Sequence, residues 1–229
     1  MSAPLPFAVL ALYAGEPGQI LVGQKLTRSG IAKQPKESLT ISAAGAEGDH
    51  VANKKYHGGP DQALYLYTQA DAEAWAALGL QAGLERAYFG ENVRLSGPSS
   101  ADVRPGDRFQ LGEVLLEATA PRLPCALAAA YLAGDYPGSF VKDMYALGLP
   151  GIYARVIQGG TLRPGDVGEW QPTAQTGTPT LSELMKLHKS RKPDPAVIRR
   201  ALAAPVSVRL REELDEKLSK ALRHAPPSP

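Results

Sequence analysis

Between residue 7 and about residue 170 the apolar positions fall in short runs of four to seven, each closed by Gly, Pro, Asn or Asp. That rhythm belongs to strands joined by turns. It predicts strands at 7–12, 39–41, 63–67, 92–95, 107–111, 114–118, 152–157 and 166–170, with Leu111-Gly112-Glu113 as the turn of a hairpin. Arg-Pro-Gly-Asp occurs at 104–107 and again at 163–166, where proline pre-sets φ and glycine accepts the positive φ of a type II turn. The repeat reflects shared turn chemistry rather than a duplicated unit. One helix interrupts the strands at Thr68, whose hydroxyl can cap while Asp71 sits three residues on and Ala74, Trp75 and Leu78 follow at helical spacing. Eight strands and few helices predict a mainly β fold closed as a barrel over residues 1–172.

The period changes after residue 172. Residues 173–179 are small and polar and read as a linker, and 180–224 read as three helices. Thr180 and Glu183 form a capping-box pattern, Asp194-Pro195 supplies an N-cap and a first-turn proline, and Ser207 precedes Leu210, Leu214, Leu218 and Leu222. So small a bundle is expected to pack on the barrel or on a second copy in a homodimer. Residues 225–229 are expected to be a disordered tail.

Composition narrows the class. With 229 residues, 44% of them hydrophobic and 21% charged, the chain can bury a core, and a net charge of +2 gives no reason to expect nucleic acid or a membrane as partner. The apolar stretch at 6–12 follows two prolines and no basic residue, so it matches neither a secretory signal nor a membrane span, and a cytoplasmic protein is expected. The single cysteine, Cys125, excludes an internal disulfide and any CxxC site.

Candidate chemistry gathers in three places. Residues 45–50 and 54–64 hold two histidines, two lysines, three acids and four glycines, including His57, Gly58, Gly59 and Asp61. A polar loop before a strand suits them, either as plain solvated turns or as backbone amides that approach an anion closely. His50, His57 and Cys125 match no standard zinc spacing. In Pro121-Arg122-Leu123-Pro124-Cys125 the prolines deny ladder hydrogen bonds and present the thiol at a strand end, where Arg122 would favour the thiolate, the form that acts as nucleophile or soft-metal ligand. A lone cysteine otherwise reads as a small buried apolar side chain. Phe89-Gly90-Glu91-Asn92 brings a carboxylate and a carboxamide into a strand.

Taken in order, Glu-Gly-Asp at 47–49, His-Gly-Gly-Pro-Asp-Gln-Ala-Leu at 57–64, Phe-Gly-Glu-Asn at 89–92 and Pro-Arg-x-Pro-Cys at 121–125 resemble the motif series of the MOSC domain, the C-terminal domain of molybdenum cofactor sulfurases. The helical segment from Thr180 is similar to the three-helix extension of its stand-alone, YiiM-like branch. The resemblance implies a mixed β-barrel that holds the molybdenum cofactor in its molybdopterin form, with Cys125 as metal ligand. It also implies Lys55, Arg122 and Arg155 as cations around the pterin phosphate, with Gly58, Gly59, Asp61 and Asn92 completing the cofactor site. Arg155 reads equally as an outward-facing strand residue. The implied reaction reduces N-hydroxylated bases or amidoximes to the parent nitrogen compound and water, with His57 as proton donor and Glu91 as an alternative acid. No Rossmann, flavin or iron–sulfur motif is present, so a separate flavoprotein or iron–sulfur reductase would supply electrons. The competing reading is a sulfur carrier bearing a Cys125 persulfide. A third, pyridoxal phosphate bound by Lys54 or Lys55, lacks the large fold such enzymes use.

Overall fold

The apolar run near the N-terminus extends into a ten-residue strand, β1 (Leu5–Ala14), and this strand closes the molecule. A computed structural model of the chain describes residues 5–54 and 57–223; Lys55 and the expected tail at 225–229 lie outside them. After β1 come a hairpin of β2 (Gly18–Val22) and β3 (Lys25–Ser29), then β4 (Gln34–Lys36), β5 (Leu39–Ser42), β6 (Gly45–Ala46) and β7 (Leu64–Thr68). Helix α1 (Gln69–Ala74) leads to β8 (Val93–Leu95), β9 (Arg108–Leu111) and β10 (Val114–Ala120). Helices α2 (Ala126–Leu132) and α3 (Phe140–Leu147) precede β11 (Ile152–Gln158), β12 (Gly160–Leu162) and β13 (Val167–Gln171). The chain continues with α4 (Leu181–Lys189), α5 (Pro195–Ala203) and α6 (Val208–Arg223).

Seven strands form a closed ring in the order β1–β13–β9–β10–β11–β7–β8 and back to β1. Closure is possible because β1 is long enough to change partners. Its first residues pair with β13 from Leu5 opposite Trp170, and after an irregularity between Val9 and Ala11 it continues along β8 to Leu12 opposite Val93. The β7–β8 pair is parallel and the other barrel pairs antiparallel, so the barrel is mixed. Every residue of β7 is buried. Leu64 and Leu66 face the barrel core opposite Ala154 and Ile152, while the hydroxyls of Tyr65 and Tyr67 on the other face donate to the carbonyls of Pro150 and Leu149. A strand covered on both faces reads as a continuous apolar run rather than an alternation.

All eight expected strands are present, and the Thr68 cap is made, its hydroxyl accepting from the Asp71 amide. Helices α2 and α3 and the short strands β2–β4, β6 and β12 were not foreseen. The C-terminal caps also form. Thr180 and Glu183 close a capping box, Asp194 accepts from the Ala196 amide, and Ser207 accepts from the Leu210 amide. The helices do not stand apart. Leu181, Leu184, Ile198, Leu210 and Leu214 belong to the same contiguous apolar cluster as the barrel strands.

Charge adds a tether. The guanidinium of Arg155 on β11 pairs with Asp61 at 3.0 Å and donates to the carbonyls of Pro205 and Val206, while Asp61 accepts from the Val208 amide at the start of α6. Arg155→Ala is expected to lower the melting temperature by several degrees, the size of about 1–3 kcal/mol in a chain this long, and to speed proteolysis within 173–208. A variant unchanged in both respects would contradict the tether.

Candidate functional site

At one end of the barrel lies a cavity of about 770 Å³, bounded by the end of β3, residues 49–53, 57–58 and 62–63, Gly90 and Asn92, and the segment 120–127, with α4 and α6 forming its far wall. Strand β10 delivers the chain to it and ends at Ala120. Pro121 and Pro124 then prevent further pairing, and Cys125 becomes the N-cap of α2 with extended backbone (φ −135°, ψ 161°) and no side-chain capping bond. Its thiol is half-buried on the cavity wall.

Arg122, three residues earlier, is 7% exposed. Its Nη1 donates to the Phe89 carbonyl, and its guanidinium lies over the Tyr65 ring at 4.7 Å. Burial opposes its charge, but the field of Tyr153, Tyr65, Cys125 and Glu91 outweighs that penalty and keeps it firmly cationic.

The Phe-Gly-Glu-Asn segment turns out to be the brace for this cation. Gly90 has φ +73°, and a Cβ there would stand 2.8 Å from Ile31 and 3.1 Å from the Arg122 guanidinium. Glu91 is fully buried, accepts from the Phe89 amide at 2.9 Å and pairs with Arg94, which is fully buried as well. This corrects the expectation that Glu91 is an acid facing the site: its carboxylate is consumed in holding the loop that presents the Phe89 carbonyl to Arg122. Asn92 does line the cavity. Its amide donates to Asp49 at 2.9 Å, and Asp49 also accepts from Lys33 at 2.7 Å and from the Gly15 amide at 2.8 Å. Burial lowers the Lys33 pKa, and Asp49 opposes that shift.

His57 lies on the wall with Nδ1 2.9 Å from the Tyr153 hydroxyl. Burial, and after it the charges of Arg122, Arg209 and Lys33, push its pKa down to about 4. The expectation of a protonated imidazole near neutral pH is therefore corrected, since among these cations the ring is neutral. Gly58 and Gly59 both adopt positive φ, at +71° and +86°. Gly58 lines the cavity and its carbonyl accepts from Arg209 of α6 at 2.6 Å, whereas Gly59 opens the short 3-10 turn Pro60–Gln62 beside it. Asp61 and Arg155 are not among the residues lining the cavity. Two carboxylates and two carbonyls take the Arg155 guanidinium, so it joins barrel to helices instead of reaching a ligand.

Cys125, His57, Gly58, Asn92 and Arg122 are thus brought together. Sequence reasoning missed Lys33, Asp49, Tyr153 and Arg209 as members, as well as His188 and Glu213 on the helical wall. Asp49 had a signal, since it ends the Glu-Gly-Asp motif. Arg209 had none, lying 151 residues along the chain from Gly58, whose carbonyl it binds, and Glu213 had none either, its partners being on the neighbouring helix α4 and one turn along α6. His50, His57 and Cys125 all touch the cavity, yet no group of three His, Cys, Asp or Glu among the described residues could hold a bare metal ion.

The neutral state of His57 has a thermodynamic signature. Between pH 6.5 and about 4 the unfolded histidine binds a proton that the folded one does not, so stability falls with pH across that window, by about 3 kcal/mol for this group. In urea unfolding at a series of pH values, the gap between wild type and His57→Gln is expected to shrink by that amount from pH 7 to pH 4. A constant gap would contradict the assignment.

Comparison with known proteins gives the family and the fold. The MOSC domain family model matches residues 53–169. The uncharacterized protein YflK of Bacillus subtilis is 32% identical over 160 residues, 69% of this chain and 71% of that protein, and the protein YiiM of Escherichia coli is 43% identical over 100 residues, 42% of this chain and 45% of that one. Crystal structures of YiiM share the fold. The Geobacillus stearothermophilus protein superposes with a TM-score of 0.72 at 23% identity over 93% of this chain and 99% of that one. The Escherichia coli protein gives 0.66 at 22% over 96% and 94%. With cavity, thiol and barrel in the places the motifs indicate, the chain belongs to the MOSC domain family.

Proposed function

We propose that this protein holds the molybdenum cofactor in the cavity through Cys125 and reduces N-hydroxylated bases or related N-hydroxylated compounds to amines with electrons from a separate reductase, a flavoprotein or an iron–sulfur protein. The observation that carries the reading is a single soft thiol on the wall of a large cavity, beside a buried cation, with no cluster able to bind a bare ion among the described residues. One thiolate cannot hold a naked metal, but it suits a metal that arrives with a ligand of its own. When bound, the cofactor would supply the two-electron chemistry of the reaction R–NHOH + 2e⁻ + 2H⁺ → R–NH₂ + H₂O.

The protein's part follows from its side chains. Arg122, Lys33 and Arg209 converge on the cavity and suit a phosphate, whose transfer from water needs charge-assisted hydrogen bonds. Lys55, outside the described residues, belongs to the same proposed set. Cleaving N–O releases hydroxide unless a proton reaches that oxygen, and His57 with the Tyr153 hydroxyl is the hydrogen-bonded pair on the wall that can carry one. An anionic ligand would offset the cationic field of Arg122, Arg209 and Lys33, one of the two causes holding the imidazole neutral, and so would raise its pKa toward the working range.

Metal analysis and turnover test the reading together. Wild-type protein is expected to carry molybdenum stoichiometrically and to reduce an N-hydroxylated base, while Cys125→Ser stays folded but loses both, because a hydroxyl is a far poorer soft-metal ligand. His57→Gln is expected to keep the metal and lose at least tenfold in turnover, a positioned acid typically contributing roughly 10²–10⁴-fold. Wild-type protein free of molybdenum but with sulfane sulfur on Cys125 would favour a sulfur carrier, and a serine variant that retains the metal would refute the ligand.

A further inference from the structure

His57 belongs to a stretch with little to hold it. No strand lies among the described residues between β6 and β7, and the sequence there has three glycines and two lysines. The ties of the histidine itself are its amide, which donates to the Asn53 carbonyl at 3.0 Å, and its ring nitrogen, bonded to the Tyr153 hydroxyl. The remaining grip comes from the other end of the chain. On α6, Arg209 donates through Nη2 to the Lys54 carbonyl at 2.6 Å, and through Nη1 to the Gly58 carbonyl at 2.6 Å and the Gln62 side chain at 2.9 Å. Those two carbonyls stand three residues before the histidine and one residue after it.

Arg209 takes part in no ion pair among the described residues, so its two terminal nitrogens are given to this one stretch of backbone. A planar fork of donors can hold two carbonyls at once, which the single ammonium of a lysine cannot match. Docking of α6 rests on other contacts. Asp61 accepts from the Val208 amide, Arg155 donates to the Pro205 and Val206 carbonyls, and Leu210 and Leu214 enter the apolar cluster of the barrel. One turn beyond Arg209, Glu213 binds the His188 ring of α4 at 2.7 Å.

We infer that Arg209 is the positioning residue of His57: by gripping the backbone on both sides of the histidine, it makes the place of the imidazole depend on α6. A reactive side chain needs its supporting groups to fix it to about 0.5 Å, and here the support is supplied from 151 residues away. The C-terminal helices then do more than close the cavity, because they set where its histidine stands. The inference rests on the proposed function only in giving that imidazole a proton to carry.

The test is acylation by diethyl pyrocarbonate, which labels accessible neutral imidazoles, followed residue by residue by mass spectrometry on the full chain at pH 7. Without its grip the stretch opens more often. In Arg209→Met, His57 is expected to label at least about fivefold faster than in wild type, while His188 keeps its rate because α6 stays docked. Arg209→Lys, with the charge but not the fork, is expected to follow Arg209→Met. An unchanged rate at His57 overturns the proposal. So does an equal rise at His57 and His188, the mark of a guanidinium that only docks the helix, and so does a lysine variant that labels like wild type. Neither cofactor nor substrate enters the measurement, so this inference and the proposed function can fail separately.

Discussion

A guanidinium buried beneath a cavity is expensive, and much of the site can be understood as the set of groups that make Arg122 tolerable where it sits. An unpaired buried charge carries a penalty of several kcal/mol. Here the offset comes from the Phe89 carbonyl, from the face of Tyr65 and from the charge of Glu91. Each of these partners is fixed in turn. Tyr65 is anchored through its hydroxyl to Pro150, and the Phe89 loop is locked by the Glu91–Arg94 pair. After burial, the same cation is the first of three charges that depress His57, and it lies within electrostatic reach of Cys125.

This dependence explains which parts of the site were legible in the sequence. Local devices announce themselves: the proline-flanked thiol, the Thr180 capping box and the Asp194-Pro195 helix start all act within a few residues, and all are present. Barrel strands were legible because buried apolar runs and turn residues are local too. Helix α2 has a strong helix former in Ala-Leu-Ala-Ala-Ala, but its N-cap is Cys125 with no side-chain capping bond, so no start signal marks it. Side-chain roles were read less well where the partner is distant. A conspicuous polar motif says that a carboxylate is needed, not whether it meets a ligand or an arginine. Thus Glu91 and Arg155, both plausible as site residues, are taken by Arg94 and by Asp61 and Glu117. No periodicity reports that Arg209 reaches back to the carbonyls of Lys54 and Gly58.

The C-terminal helices change meaning accordingly. As sequence they look like an appendage joined by a polar linker. In the fold they share the barrel's apolar core, are held to it by Arg155 and Asp61, and complete the cavity with Arg209 and Glu213. The cavity of about 770 Å³ gains its far wall, with Arg209 and Glu213, only because the helices are docked. Closing a polar site this way lowers the local dielectric and strengthens each charge-assisted contact inside it.

The claim on which the rest depends is that the Arg122 charge organises the site for a metal cofactor held by Cys125. It is tested most directly by the molybdenum content of Arg122→Met, a variant of similar shape without the charge and with the cysteine intact. The account predicts a protein whose circular dichroism matches wild type but whose molybdenum per chain falls at least tenfold; a folded Arg122→Met protein with the wild-type complement of metal would contradict it.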